Sequence, residues 1–319
     1  MLKNTLSIPF FSLLLLVGCG GESGSSNSSS GSVTASSGTT FSLSVSDAPV
    51  EALSKVIICF SQIELKSEVA DVLLDLTPNP LYADELCVDK NSYAIDLKMF
   101  TGADYITLLE GIIIEAGDYS QLRLIMSEGS YGVFADDDVT TVAIKVPSNE
   151  LKLDGFTAVI GGVIDLTAEF DLNKGMTNPV GLDYYFLKPR GVRLVDNSES
   201  ATVAGSVDAD DFCTLSNPEV GDIVGSVYLY QGFDLAIENL ADNGGDESQL
   251  PYASAMVTYK GETDYEYEVG FVTSGNYTVA FSCDSDDLPE EDNSIVFEQK
   301  LETQVGTEKR VLNFVFADL

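Results

Sequence analysis

From Phe41 onward the chain repeatedly alternates apolar and polar residues with a period of two, the pattern of strands with one buried face. The clearest case is Val163–Leu172. Ile164, Leu166, Ala168, Phe170 and Leu172 share one face, and Asp165, Thr167, Glu169 and Asp171 the other. Similar runs predict strands at Phe41–Val45, Val56–Leu65, Val72–Leu76, Ser120–Met126, Thr140–Val146 and Tyr184–Leu187. Asp47–Leu53 predicts one helical turn, with Asp47 as its cap and Pro49 where a missing N–H costs little. Lys98–Glu110 hints at a helix that Gly102 weakens. After a polar join at Asn197–Ser200, further runs predict strands at Val203–Val207, Val224–Tyr230, Ala253–Tyr259, Tyr265–Phe271, Tyr277–Asp284 and Arg310–Phe316, with no helix required. Many short strands separated by turn residues predict an all-β chain of two tandem β-sandwiches, over residues 41–197 and 202–319.

The first 40 residues follow another rule. Lys3 precedes an apolar run, Leu6–Val17, broken only by Ser7, Pro9 and Ser12. That run falls short of the roughly 20 residues a bilayer needs, and reads as a secretory signal. It ends in Leu16-Val17-Gly18-Cys19, which resembles the lipobox of bacterial lipoproteins. The resemblance implies a signal peptide over residues 1–18, cleavage before Cys19, and acylation of Cys19 on its sulfur and new amino terminus. Several chains on one residue anchor stably where one would not. Gly20, not Asp, follows the cysteine, which implies sorting to the outer membrane, on its periplasmic or its outer face. Residues 19–40 then form a Ser/Gly-rich tether with an end-to-end distance of about 25 Å.

Export changes the reading of the cysteines. With Cys19 spent on lipid, Cys59, Cys87, Cys213 and Cys283 remain, an even number that predicts disulfides. Of three possible pairings, Cys59–Cys87 with Cys213–Cys283 keeps each bridge inside one sandwich. The chain holds no His and no C-x-x-C spacing, which disfavours zinc and rules out Ser-His and Cys-His triads. No G-x-S-x-G, S-x-x-K or P-loop occurs, so the chain is expected not to be an enzyme. A carboxylate-based hydrolase survives only because acids are everywhere. There are 51 acidic residues against 16 basic ones, a net charge of −35. That excess argues against nucleic acid as a partner and against a basic patch docking on anionic lipid.

Three motifs in order carry a family resemblance: Ser44-Val45-Ser46-Asp47-Ala48-Pro49-Val50, Glu115-Ala116-Gly117-Asp118-Tyr119-Ser120-Gln121-Leu122-Arg123-Leu124, and Phe186-Leu187-Lys188-Pro189-Arg190-Gly191-Val192-Arg193-Leu194-Val195. Together they resemble a family of bacterial lipoprotein domains of unknown function. The resemblance implies an exported, immunoglobulin-like sandwich and supplies no activity. Within it Arg123, Lys188, Arg190 and Arg193 stand out as bases, with Asp47 as a carboxylate. They are read as structural ion pairs between the first and last strands, with an anion pocket as the alternative. Val272–Val279 is similar to the x-x-G-x-Y-x-V element of carboxypeptidase-regulatory-like and transthyretin-like sandwiches, which implies an accessory module. Gly275 would supply a positive φ and Tyr277 a hydroxyl reaching backbone across a corner. Gly117-Asp118-Tyr119-Ser120 repeats the device, so Tyr119 and Tyr277 are read as structural.

The acids are either a solvating surface or a cation site. Candidate calcium ligands are Asp284, Asp286, Asp287, Glu290, Glu291 and Asp292, although Pro289 replaces the glycine an EF-hand requires. Asp208, Asp210 and Asp211, and the loop Asp242–Glu247, are further acidic groups, while Ala135–Asp138 reads as a solvated hairpin turn. Asp264, Glu266 and Glu268 line one face of a strand. Tyr228, Tyr230, Tyr265 and Tyr267 could stack on sugars where alternation leaves them outside. No cofactor is expected apart from calcium. These features predict a lipid-anchored envelope protein that binds polysaccharide or another envelope protein without catalysis. The alternatives are a calcium-dependent glycan binder or adhesin, and an envelope hydrolase.

Overall fold

A computed structural model describes residues 38–48, 52–77, 79–243, 250–284 and 295–316. Cys19, most of the tether, and Asp286, Asp287, Glu290, Glu291 and Asp292 lie outside the described residues.

The chain is all-β, in three sheets. A four-stranded sheet runs in spatial order Val192–Asp196, Val163–Asp171, Gly38–Ala48, Ile106–Glu115. Its second and third strands are parallel, with Phe41 opposite Ile164, Leu43 opposite Leu166 and Val45 opposite Ala168. All six side chains are buried. Opposite this face lies a ten-stranded sheet whose longest strand is Leu53–Ser67, joined on either side by Gly117–Met126 and Tyr131–Phe134. Val56, Ile58, Phe60, Ile63, Leu65, Leu122 and Leu124 close the shared core. Burying each such large apolar side chain stabilises the fold by about 1.5–3 kcal/mol. The opening strand continues through Asp47 and Ala48, where a helical turn was expected; residues 49–51 of that turn are outside the described set. The helix expected at Lys98–Glu110 is absent. A single 3-10 turn at Leu97–Met99 and a loop through Gly102, at φ +65°, lead into the strand Ile106–Glu115. The β-branched run Ile112-Ile113-Ile114 favours that outcome.

The third sheet has seven strands, in order Gln299–Val305, Gly275–Ser282, Ile223–Gln231, Ala253–Gly261, Asp264–Thr273, Ser200–Ser206, Arg310–Val311. It curls over one core of Val203, Val227, Leu229, Tyr265, Tyr267, Tyr277, Phe281 and Phe314, a β-sandwich-like body. A smaller cluster covers the other face of its central strand, where Tyr228, Tyr230 and Ala280 meet Leu235, Leu240, Ile295 and Phe297. That strand is therefore buried on both faces, and all four tyrosines considered for sugar stacking lie inside the protein. One helical turn, Ala209–Phe212, follows the strand Ser200–Ser206. The join expected at Asn197–Ser200 is a 3-10 turn capped by Asp196, running straight into the next strand.

Both disulfides pair as expected from containment, Cys59–Cys87 and Cys213–Cys283, with Cα separations of 5.8 and 5.6 Å. No helix among the described residues is long and apolar enough to cross a membrane.

Candidate functional site: an acidic cleft beside a buried polar seam

The polar face of Val163–Asp171 meets water at Asp165 but not from Thr167 onward. Thr167, Glu169 and Asp171 are each buried, on the strand whose two neighbours in the sheet, Val192–Asp196 and Gly38–Ala48, touch the seven-stranded sheet. A buried charge is costly unless paired, and this seam supplies partners from both bodies. The Arg193 Nε donates to Glu169 Oε2 at 2.8 Å, across neighbouring strands. The rest of the same guanidinium donates to the carbonyls of Phe271 (2.9 Å) and Gly270 (3.3 Å) in the seven-stranded sheet. It also lies 4.4 Å over the ring of Tyr252. Ser254 Oγ donates to Asp171 Oδ2 at 3.0 Å, and Lys174 Nζ donates to the Pro251 carbonyl at 2.9 Å. Phe271 has φ +52°, a rare conformation for a bulky residue, and its ring meets Tyr105 edge-on.

Beside this seam lies a cleft of about 740 Å³. One wall is the outer face of the seven-stranded sheet, with Thr258, Asp264, Glu266 and Glu268. The other is the loop Thr101–Asp104 with Asp47, Ala48 and Glu169. The loop is fixed to the opening strand, since the Asp47 N–H donates to the Phe100 carbonyl and Ser46 Oγ to the Asp104 carbonyl. It touches the opposite wall where the Ala103 N–H donates to Glu268 Oε1 at 3.1 Å. Lys309 Nζ holds the other oxygen of Glu268 at 2.8 Å. Lys260 and Lys309 are the cleft's two bases, against six acids.

Asp47 is 2% exposed, and neither of its carboxylate oxygens has a hydrogen-bond partner. It forms none of the ion pairs expected of it, and the three arginines named with it are engaged elsewhere. Arg123 bridges Glu64 and Glu150 within the ten-stranded sheet, and Arg190 Nε donates to the Lys174 carbonyl. Arg193 does make a structural ion pair, but with Glu169 on Val163–Asp171 and not with the first strand. Burial, then the nearby carboxyls of Glu169 and Asp171, push the Asp47 carboxyl well above its ordinary range. Burial also pushes Glu169 up to about 7, with Arg193 opposing. Asp171 rises for the same reason, with Lys174 opposing. Sequence alternation placed Glu169 on a polar face but could not show that a second body covers it.

The other predicted residues take structural places. Tyr119 donates to the Glu115 carbonyl at 3.0 Å and Tyr277 to the Thr273 carbonyl at 2.9 Å, the same reach of four residues in both bodies. Gly275 does not have positive φ; a Cβ there would lie 3.3 Å from the Tyr277 ring, so the glycine makes room for the ring. Asp210 accepts from Tyr265, and Asp208 from the Phe316 N–H. Asp137 accepts from the Thr140 hydroxyl and from the N–H groups of Thr140 and Val139 in a hairpin turn, which lowers its pKa. The Asp284 N–H bonds Ser282 Oγ. No group of three or more potential metal-ligating side chains occurs among the described residues.

These features define an all-β protein of two bodies locked by a buried polar seam. Residues 38–189 match a family described as a domain of unknown function, DUF4382. The match ends just before the strand that carries Arg193. No curated protein matches the chain. Two solved structures are similar at 10% identity. One is the Bacillus anthracis TIE protein, with a TM-score of 0.19, covering 86% of this chain; this chain spans only 33% of that one. The other is a candidate cell adhesion protein of Bacteroides fragilis, with a TM-score of 0.21, covering 86% of this chain and 92% of its own.

Proposed function

We propose that the chain is a lipid-anchored protein of the cell envelope, acting as a non-catalytic binding module for envelope polysaccharide or an envelope protein. The supporting observation is the cleft between two bodies that Arg193 fixes against one another. A preformed, polar hollow of this volume is the size of a ligand site. The lipobox-like Leu16–Cys19 supports the anchor and the outer-membrane location. The paired tyrosine corners support a reading of the second body as a carboxypeptidase-regulatory-like accessory module.

Two measurements test this. Cys19→Ala should move the protein from the membrane pellet to the soluble fraction; a variant that stays in the pellet removes the anchor. Purified chain should co-sediment with insoluble envelope polysaccharide or with envelopes stripped of it. Sedimentation with neither, beyond that of an equally acidic control protein, removes the binding module.

One observation favours a rival. Asp47 and Glu169 are two buried carboxyls on one cleft wall, the type of pair a glycosidase uses. Glu169 is already engaged by Arg193, which leaves no free partner for Asp47. Release of reducing ends from envelope glycan, lost in Asp47→Asn, would establish the hydrolase instead.

A further inference from the structure

The Asp47 carboxyl is an anomaly in a seam that otherwise pairs its charges. Glu169 has Arg193, and Asp171 has Ser254 and the Lys174 N–H. Asp47 lines the cleft, is 2% exposed, and accepts no hydrogen bond. Leaving a buried acceptor unsatisfied is costly, and native proteins rarely do so without a compensating role. The cleft leading to it is graded in access. Asp104, Asp264 and Glu266 are exposed at its mouth, Glu268 is half-buried, and Asp47 and Glu169 lie on its floor. With Asp47 neutral and Glu169 paired with Arg193, the other four acids, Asp104, Asp264, Glu266 and Glu268, still outnumber the two lysines and leave a negative field inside walls of low dielectric, which concentrates cations.

The described residues offer no group of three ligating side chains for a metal ion. A cation that needs few oxygens and brings its own donors fits better. An ammonium group carries three N–H donors and accepts nothing, the complement of an unpartnered carboxylate.

We propose that the cleft binds a ligand carrying a primary ammonium group, with Asp47 as its counter-charge on the floor and Asp264 and Glu266 at the mouth. This rests on the reading of the chain as a binding module and names the chemistry of its ligand. Binding is coupled to a proton. The neutral Asp47 carboxyl gives its proton to solvent, and the carboxylate so formed pairs with the ammonium nitrogen, which keeps its three hydrogens. The groups that act on this exchange are Glu169 and Asp171 on the neighbouring strand, and Lys98 and Asp96 from the segment that follows Tyr93. Both cleft lysines are exposed, and Lys309 is paired with Glu268.

The test is calorimetric titration of the full-length chain in detergent with spermidine, in two buffers of different ionisation heat. The expected result is one saturable site per chain, with proton release on binding and affinity rising with pH. Asp47→Asn should weaken binding at least tenfold and abolish the proton release. Asp136→Asn, on the exposed hairpin turn, should leave both unchanged. Thermal melts of both variants establish that they fold. Equal weakening by both variants, or several weak sites that vanish in 0.5 M NaCl, would show only a general acidic atmosphere and would overturn the proposal. So would no binding. In each of those cases the co-sedimentation result still stands or falls separately, so the binding-module reading is judged on its own.

Discussion

At the scale of single residues, two side chains carry more than their size suggests. Arg193 satisfies a buried carboxylate in its own sheet and two carbonyls of the other body. Arg193→Ala should therefore strand Glu169 and cost about 3–5 kcal/mol, read as a lower midpoint in urea unfolding. Arg193→Lys should recover only part, since an ammonium cannot present the same fork of donors. Tyr277 donates to a backbone carbonyl with its ring at 1% exposure. Tyr277→Phe keeps the ring and loses the bond, and should cost about 1 kcal/mol in the same assay. The tyrosine corners were legible in the sequence because a local device, Gly-x-Tyr beside a strand, needs only neighbours four residues away. Asp47 was not. Its motif was visible, but its lack of a partner depends on where Arg123 and Arg190 end up, which alternation does not encode.

At the scale of elements, the strand Val163–Asp171 shows how far periodicity reaches. Its apolar face was read correctly as core. Its polar face is exposed at Asp165 and buried from Thr167 on, because alternation reports that a face is polar and not what covers it. The central strand Ile223–Gln231 fails in the same way, with Tyr228 and Tyr230 under a third small cluster. The Arg310–Phe316 run alternates fully, yet only Arg310–Val311 pairs as a strand. Contact between the bodies is in places backbone on backbone: a Cβ at Gly270 would lie 1.9 Å from the Gly102 carbonyl oxygen. Gly270→Ala should force the Thr101–Asp104 loop off the opposite wall at a cost of about 1–3 kcal/mol, seen as a lower melting temperature. The Cys213–Cys283 bridge closes a loop of 70 residues. Replacing both cysteines by serine should cost about 2–5 kcal/mol, measured by unfolding under oxidising conditions.

At the scale of the molecule, the seam predicts how stability follows pH. Asp47, Glu169 and Asp171 hold their protons to higher pH when folded than their ordinary values of 3.8, 4.5 and 3.8 allow. The folded state therefore binds more protons than the unfolded state between those values and about 7, where Glu169 titrates. Stability is fully present below the unfolded values and is lost as pH rises through that window. Melts should show a higher transition temperature at pH 5 than at pH 7.5, and Asp47→Asn should flatten the difference. An unchanged profile in that variant would place the dependence on Glu169 and Asp171 alone. The opening strand also has a mechanical meaning. Gly38, the first described residue, starts a strand hydrogen-bonded along both edges, parallel to Val163–Asp171 and antiparallel to Ile106–Glu115. A pull applied at Gly38 along the strand axis would load those bonds in shear, so that they must fail together and not one after another. The far end of the same strand reaches Asp47 at the cleft floor. The strand's two ends thus belong to one element, whose resistance to extension single-molecule pulling could read directly.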